Sequence, residues 1–126
     1  MNIYFLLAAL LLLLLTFAHA RWGEQKVFPL IKEKFSGETY LSVYVPWQQL
    51  TWILALSGLF MFLASIWNQG LASVAVFVLL LTMGNLVIFT ILCWKQGEIK
   101  LITKSVPQYL LFGAVIILIL LGLFQA

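Results

Sequence analysis

The charged side chains of this chain are confined to two short segments. All seven Lys and Arg residues and all four Asp and Glu residues lie within residues 21–49 or 95–108, and the rest of the 126-residue chain carries none. Four long apolar runs occupy the uncharged part. Because a helix of about 17 to 25 apolar residues crosses a hydrocarbon core of about 30 Å, this pattern predicts a chain that spans a membrane four times.

The composition favours the same class. Hydrophobic residues make up 64% of the chain and charged residues 9%, whereas an average soluble domain is about 45–50% apolar and about 25% charged. Only helices and closed barrels satisfy their backbone hydrogen bonds inside a bilayer. The apolar runs are continuous and lack the alternation of barrel strands. We therefore expect a single all-α domain, an integral membrane four-helix bundle with a short interfacial cytoplasmic segment.

Tryptophan residues mark the predicted ends of the spans. The expected spans are residues 3–20, 50–67, 71–94 and 109–126, and all five Trp residues lie within a few residues of a span end. Trp prefers the membrane–water boundary because its ring is amphipathic. Residues 68–70 alone separate the second and third spans, which predicts a tight antiparallel hairpin. Both charged connections then lie on one side of the membrane.

The basic residues predict an orientation. All seven lie in the two charged connections, and the short turn at residues 68–70 and both ends have none. Since Lys and Arg near spans are retained in the cytoplasm, we expect a multi-pass protein of a cell inner membrane, with cytoplasmic connections and both termini outside. Ala18-His19-Ala20 opens an alternative, because an apolar run that ends in a small-x-small triplet also outlines a cleavable secretory signal.

The first charged connection, residues 21–49, is expected to contain two kinds of structure. Four of its apolar side chains fall on one side of a helical wheel and predict a short interfacial helix. They are Val27, Phe28, Ile31 and Phe35. Residues 40–45 alternate between apolar and polar side chains, which predicts an extended segment. It is either a linker packed against the helix ends or a strand edge offered to another protein.

Two features inside the predicted spans favour contacts between helices. Gly58 lies in a stripe of mostly small side chains that lets another helix approach closely. The stripe consists of Thr51, Ala55, Gly58, Phe62 and Ser65. This face is the candidate surface for a protein partner or for a homo-oligomer. Asn85, near the middle of the third span, is expected to hydrogen-bond to a neighbouring helix; a contact with a ligand or ion is the alternative.

A short motif lies at the end of the first span. His19, Gly23 and Glu24 form the pattern H-x-x-x-G-E, a Pro-Leu step follows at residues 29–30, and the pair Trp47-Gln48 opens the next helix. In these residues the first half of the chain resembles a group of small, uncharacterised four-helix bacterial inner-membrane proteins, which have a Trp-His pair where this chain has Trp47-Gln48. The resemblance implies a topology and names no reaction.

The motif also predicts a local ion pair. We expect Gly23 to end the first helix as a left-handed residue, which turns Glu24 back either toward His19 or toward Arg21 and Lys26. The pair with His19, in which Glu24 favours the protonated imidazole, is the one we predict. Such a pair would act as a latch sensitive to pH near neutrality. A boundary histidine that snorkels alone is the alternative.

The chain lacks the residues that most catalytic and cofactor sites require. A single His and a single Cys cannot supply bis-histidine haem ligation or a zinc site. The predicted spans contain no acidic residue, Lys or Arg for proton or ion coupling. We expect no enzyme activity, no cofactor, no metal site and no nucleic-acid partner. The lipid bilayer is an expected partner. The preferred function is a non-catalytic accessory or assembly subunit of a membrane complex, and the alternative is a small homo-oligomeric transporter or pore.

Overall fold

The structure, a computed structural model, describes residues 1–67 and 71–125, and this part of the chain contains helices and no strand. Its helices are α1 (Ile3–Trp22), α2 (Phe28–Lys34), α3 (Gly37–Ile66), α4 (Ala72–Lys95), α5 (Ile99–Lys104) and α6 (Val106–Gln125). A π-helical segment, Gly23–Val27, joins α1 to α2. Four of the described helical stretches are long and apolar enough to cross a membrane. The predicted all-α four-helix fold is confirmed; the predicted turn at residues 68–70 lies outside the described residues.

The four long helices form a bundle in which α1 makes the most extensive contact. α1 packs chiefly on α3 and also on α6, while α4 packs on α6 and α3. The part of the core that α1 supplies consists of Phe5, Ala8, Ala9, Leu12 and Leu15. Large apolar side chains remain exposed along the outer faces of all four helices. In a membrane those faces would contact lipid tails, which are as apolar as the side chains themselves.

Gly58 lies where α3 comes close to α1. A Cβ atom at Gly58 would lie 2.9 Å from the Cγ and Cδ2 atoms of Leu13 and 3.3 Å from its backbone nitrogen. The helix that approaches the small-residue stripe at this point is therefore α1 of the same chain. Because Gly58 is buried in that contact, this part of the stripe is not free to receive a second protein.

Asn2 connects three helices at the end of the bundle opposite the charged connections. Its Oδ1 atom accepts hydrogen bonds from the backbone N–H groups of Tyr4 and Phe5 and so caps α1. Its Nδ2 atom donates to the carbonyl oxygen of Gly122 in α6 over 2.8 Å. Its backbone N–H donates to the carbonyl of Ser65 in α3 over 2.7 Å. This buried polar side chain was not identified from the sequence.

Asn85 makes no hydrogen bond within the part of the chain that the structure describes, although its side chain is half-buried. Thr82, on the neighbouring turn of α4, is buried and donates its hydroxyl to the carbonyl of Val78 in its own helix. The expected bond from Asn85 to a neighbouring helix is therefore not formed.

The extended segment predicted at residues 40–45 is wrong. α3 begins at Gly37 and continues without interruption through residues 40–45 and past Pro46. Tyr40, Tyr44 and Trp47 recur at steps of four and three residues, which places them on one face of a helix. That face packs against Phe28 of α2. Burial of the aromatic face outweighs the apolar–polar alternation of the same residues. The short helix predicted around Phe28 is confirmed as α2.

The contact at Gly58 predicts a substitution effect that depends on position. Gly58→Leu should lower the free energy of unfolding in detergent by about 1 to 3 kcal/mol, because the added side chain overlaps Leu13 and forces α1 and α3 apart. Gly58→Ala should cost less. Gly84→Leu in α4 is the matched control, since no atom lies within 4 Å of a Cβ atom at Gly84. Equal thermal stability of Gly58→Leu and Gly84→Leu would show that the α1–α3 contact is absent in the protein.

Candidate functional site

His19 lies in the last turn of α1 and packs against α3. Its ring stacks on that of Trp47, with 4.2 Å between the centroids and 15° between the planes. Its Nδ1 atom lies 2.9 Å from Oγ1 of Thr51, and the Thr51 hydroxyl donates to the carbonyl of Trp47. Since a hydroxyl has one proton to donate, the Nδ1 atom of His19 is the donor to Thr51 when the Thr51 proton is given to the carbonyl of Trp47. In a neutral imidazole the Nε2 atom is then the unprotonated nitrogen.

Gly23 provides the space that Trp47 occupies. A Cβ atom at Gly23 would lie 2.8 Å from Cε2 of Trp47 and 2.9 Å from Cε2 of Phe28. His19 and Gly23 are four residues apart and so share a helix face. The Nε1 atom of Trp47 donates to the carbonyl of His19 over 3.3 Å. Trp47 thus contacts both the side chain and the backbone of the motif.

The predicted left-handed helix end at Gly23 is wrong. Gly23 has φ −54° and ψ −55°, which is right-handed, and the chain continues into the π-helical segment. The glycine is needed for the close approach of Trp47 and not for its backbone freedom. Positive φ angles among the described glycines occur at Gly37 and Gly97 instead.

Glu24 binds α3 and not His19. Its Oε1 atom accepts a hydrogen bond from the hydroxyl of Tyr44 over 3.0 Å and from Nε2 of Gln48 over 2.9 Å. The predicted pair between His19 and Glu24, and the latch built on it, are therefore wrong. Each of the two residues finds its own partner one turn apart on α3, because the two helices run side by side through this region.

Aromatic packing extends the contact beyond the predicted span. Phe28 is buried, and its ring lies edge-on to Tyr44 at 4.6 Å and to Trp47 at 5.6 Å between centroids. Tyr40 stacks on Tyr44 at 5.5 Å. We call this whole contact the aromatic clamp. It joins four residues that precede α3 to four residues of α3: His19, Gly23, Glu24 and Phe28 with Tyr44, Trp47, Gln48 and Thr51.

Trp47 differs from the other tryptophans. Trp22, Trp52, Trp67 and Trp94 are each at least 60% exposed, as expected for rings at a membrane boundary. Trp47 is half-buried in the aromatic clamp. All five tryptophans were predicted to lie at the boundary, and the packing role of Trp47 was not predicted. The steps of four, three and four from Tyr40 through Tyr44 and Trp47 to Thr51 are the signal that identifies it.

The structure brings together three of the five sequence-predicted residues. His19, Gly23 and Glu24 meet in the aromatic clamp, Gly58 lies deeper in the same α1–α3 contact, and Asn85 lies apart in α4. Within residues 1–67 and 71–125, no group of three or more His, Cys, Asp or Glu side chains is placed to hold a metal ion. The arrangement fixes the end of α1, the π-helical segment and the start of α2 against α3. No family model, curated protein or solved structure matches the chain.

The contact between Gly23 and Trp47 predicts coupled substitutions. Gly23→Ala should lower the free energy of unfolding by about 1 to 3 kcal/mol, because its Cβ atom overlaps the indole. In a Trp47→Leu background the same change should cost much less, since the overlapping ring is gone. Thermal unfolding in detergent of the parent, both single variants and the double variant measures the coupling.

Gly113→Ala in α6 is the control for this cycle, because a Cβ atom at Gly113 meets no atom within 4 Å. It should leave the unfolding temperature unchanged in both backgrounds. Strictly additive effects of Gly23→Ala and Trp47→Leu would rule out the clamp geometry.

Proposed function

We propose that the protein is a non-catalytic subunit that helps to assemble or stabilise a larger membrane complex. The observation that carries this proposal is the way its buried polar groups are used. Ser57, Ser65 and Thr82 each donate their hydroxyl to a carbonyl of their own helix. Among the described residues, no buried side-chain nitrogen or oxygen lacks a hydrogen-bond partner. The fully buried part of the described interior therefore offers packing and leaves no unpaired polar atom for a passing solute, although the half-buried Asn85 has no hydrogen-bond partner among the described residues.

A transporter or pore would instead gather polar side chains around a shared cavity. Two open grooves, of about 330 and 300 Å³, have mainly apolar surface in their walls, although Gln48 and Gln49 line the first and Ser73 lines the second. The first is lined by α3 residues alone, and the second lies between α3 and α4. A homo-oligomeric pore would need its polar path between copies, where the outer faces are apolar. These features favour the assembly role over the transporter.

The region that would contact a partner is the helical hairpin formed by α2 and the first part of α3, residues 28–47, next to the aromatic clamp. α3 has 30 residues, so it is about 45 Å long and exceeds a hydrocarbon core of about 30 Å by roughly ten residues. Leu30, Leu41 and Val45 are 63%, 52% and 46% exposed on this hairpin. The clamp joins the two arms of the hairpin by aromatic contacts while its outer apolar side chains stay exposed, which suits a pre-organised contact surface.

Cross-linking from the hairpin tests the assembly role. A photo-activatable residue at Leu41 or Val45 should give one discrete adduct with another protein in native membranes. The same residue at Phe77, which is 63% exposed on α4, should give lipid adducts and serves as the control. Adducts between two copies of the chain would favour the homo-oligomer, and equal adduct patterns at Val45 and Phe77 would contradict the proposal.

We also propose an inner-membrane location with the hairpin in the cytoplasm, supported by the confinement of all seven basic residues to the two charged connections. In a Cys93→Ser background, Gln125→Cys should react with a membrane-impermeant maleimide on intact cells. Glu38→Cys, which is exposed on the hairpin, should react only after the inner membrane is permeabilised. Labelling of Glu38→Cys on intact cells would show that the protein has the opposite orientation.

A further inference from the structure

We propose that the connection from α4 to α6, residues 94–106, binds the phosphate headgroups of anionic phospholipids. Lys95, Lys100 and Lys104 are exposed in this connection, against one acidic residue, Glu98. Three positive charges less one negative charge leave a net charge of +2. Near a membrane surface, exposed Lys side chains are attracted to anionic lipid headgroups.

The turn after α4 has a hydrogen-bonded backbone conformation that sets where these lysines lie. Gly97 has φ +73°, the left-handed conformation that glycine adopts readily. The N–H of Glu98 donates to the carbonyl of Cys93, and the N–H of Gly97 donates to that of Trp94. These two bonds are those of a Schellman motif, which ends a helix sharply. The connection therefore has a defined course from Lys95 into α5.

The lysines share their surface with exposed apolar side chains. Lys100 and Lys104 are four residues apart on α5 and so lie on one face. Trp94, Ile99 and Leu101 are 67%, 59% and 44% exposed beside them. Basic and apolar side chains together form the pattern of segments that lie in the headgroup region, with the apolar groups at the acyl boundary.

Position selects lipid over a dissolved phosphate. The connection lies between the ends of α4 and α6, two helices long and apolar enough to cross a membrane. The phosphates nearest to those helix ends belong to the lipids around them. Residues 21–38 carry four basic residues, Arg21, Lys26, Lys32 and Lys34, but also three acidic ones, Glu24, Glu33 and Glu38. Their net charge of +1 makes that connection a matched comparison.

Lipid binding to the purified full-length chain tests the proposal. In native mass spectrometry from a neutral detergent, the parent should bind phosphatidylglycerol at least about tenfold more tightly than phosphatidylcholine at low salt. The Lys95→Gln, Lys100→Gln, Lys104→Gln triple variant should lose that preference. Arg at the same three positions should retain it. Rising salt should weaken the preference because the lysines are exposed to solvent.

The comparison variant is Lys26→Gln, Lys32→Gln, Lys34→Gln, which removes the same number of charges elsewhere. It should keep most of the preference for phosphatidylglycerol. Equal affinity of the parent for both lipids, or equal losses in the two triple variants, would overturn the proposal. Displacement of phosphatidylglycerol by inorganic phosphate at matched ionic strength would overturn it too and assign the site to free phosphate. Unchanged unfolding temperatures without lipid show that all variants are folded.

Discussion

The close approach of α1 to α3 is the contact on which the rest of the bundle depends. Lipid tails are as apolar as Leu, so helices in a membrane gain little from hydrophobic burial and associate through close packing. Gly58 has no side chain where Leu13 of α1 packs against it, and Gly23 has none where Trp47 of α3 packs against it. α1 also packs on α6, which in turn packs on α4, so the α1–α3 pair is continuous with the rest of the bundle.

Hydrogen bonds between side chains of different helices lie toward the ends of the bundle, and packing holds the middle. His19 meets Thr51 near the charged connections, and Thr90 of α4 meets Tyr109 of α6 toward that same end. In the middle, the hydroxyls of Ser57 and Thr82 turn back to their own helices. This distribution suits a membrane protein, because a polar group left unpaired in the hydrocarbon core costs several kcal/mol.

The fold follows from the charge pattern because a bilayer tolerates few alternatives to apolar helices. The aromatic clamp was harder to predict, because its partners are distant in sequence and each residue has a plausible local interpretation. Gly23 reads as a helix end, Trp47 as a boundary tryptophan and Glu24 as a neighbour for His19. Each of these roles depends on nearby residues in the sequence, whereas the actual contacts of His19, Gly23 and Glu24 are with side chains of α3. Residues 40–45 carry an apolar–polar alternation, while Tyr40, Tyr44 and Trp47 carry helical spacing, and burial against Phe28 favours the helix.

The hydrogen bond from Asn2 to Gly122 sets an order for biogenesis. The two residues are separated by 120 positions, which ribosomes that add about 5 to 20 residues per second cover in roughly 6 to 24 s. During that interval α1 has been made, while the carbonyl of Gly122, which accepts from its capping residue Asn2, has not yet been made. The N-terminal end of α1 is therefore completed only by α6, and the side-chain amide of Asn2 lacks this partner until the end of the chain has been made.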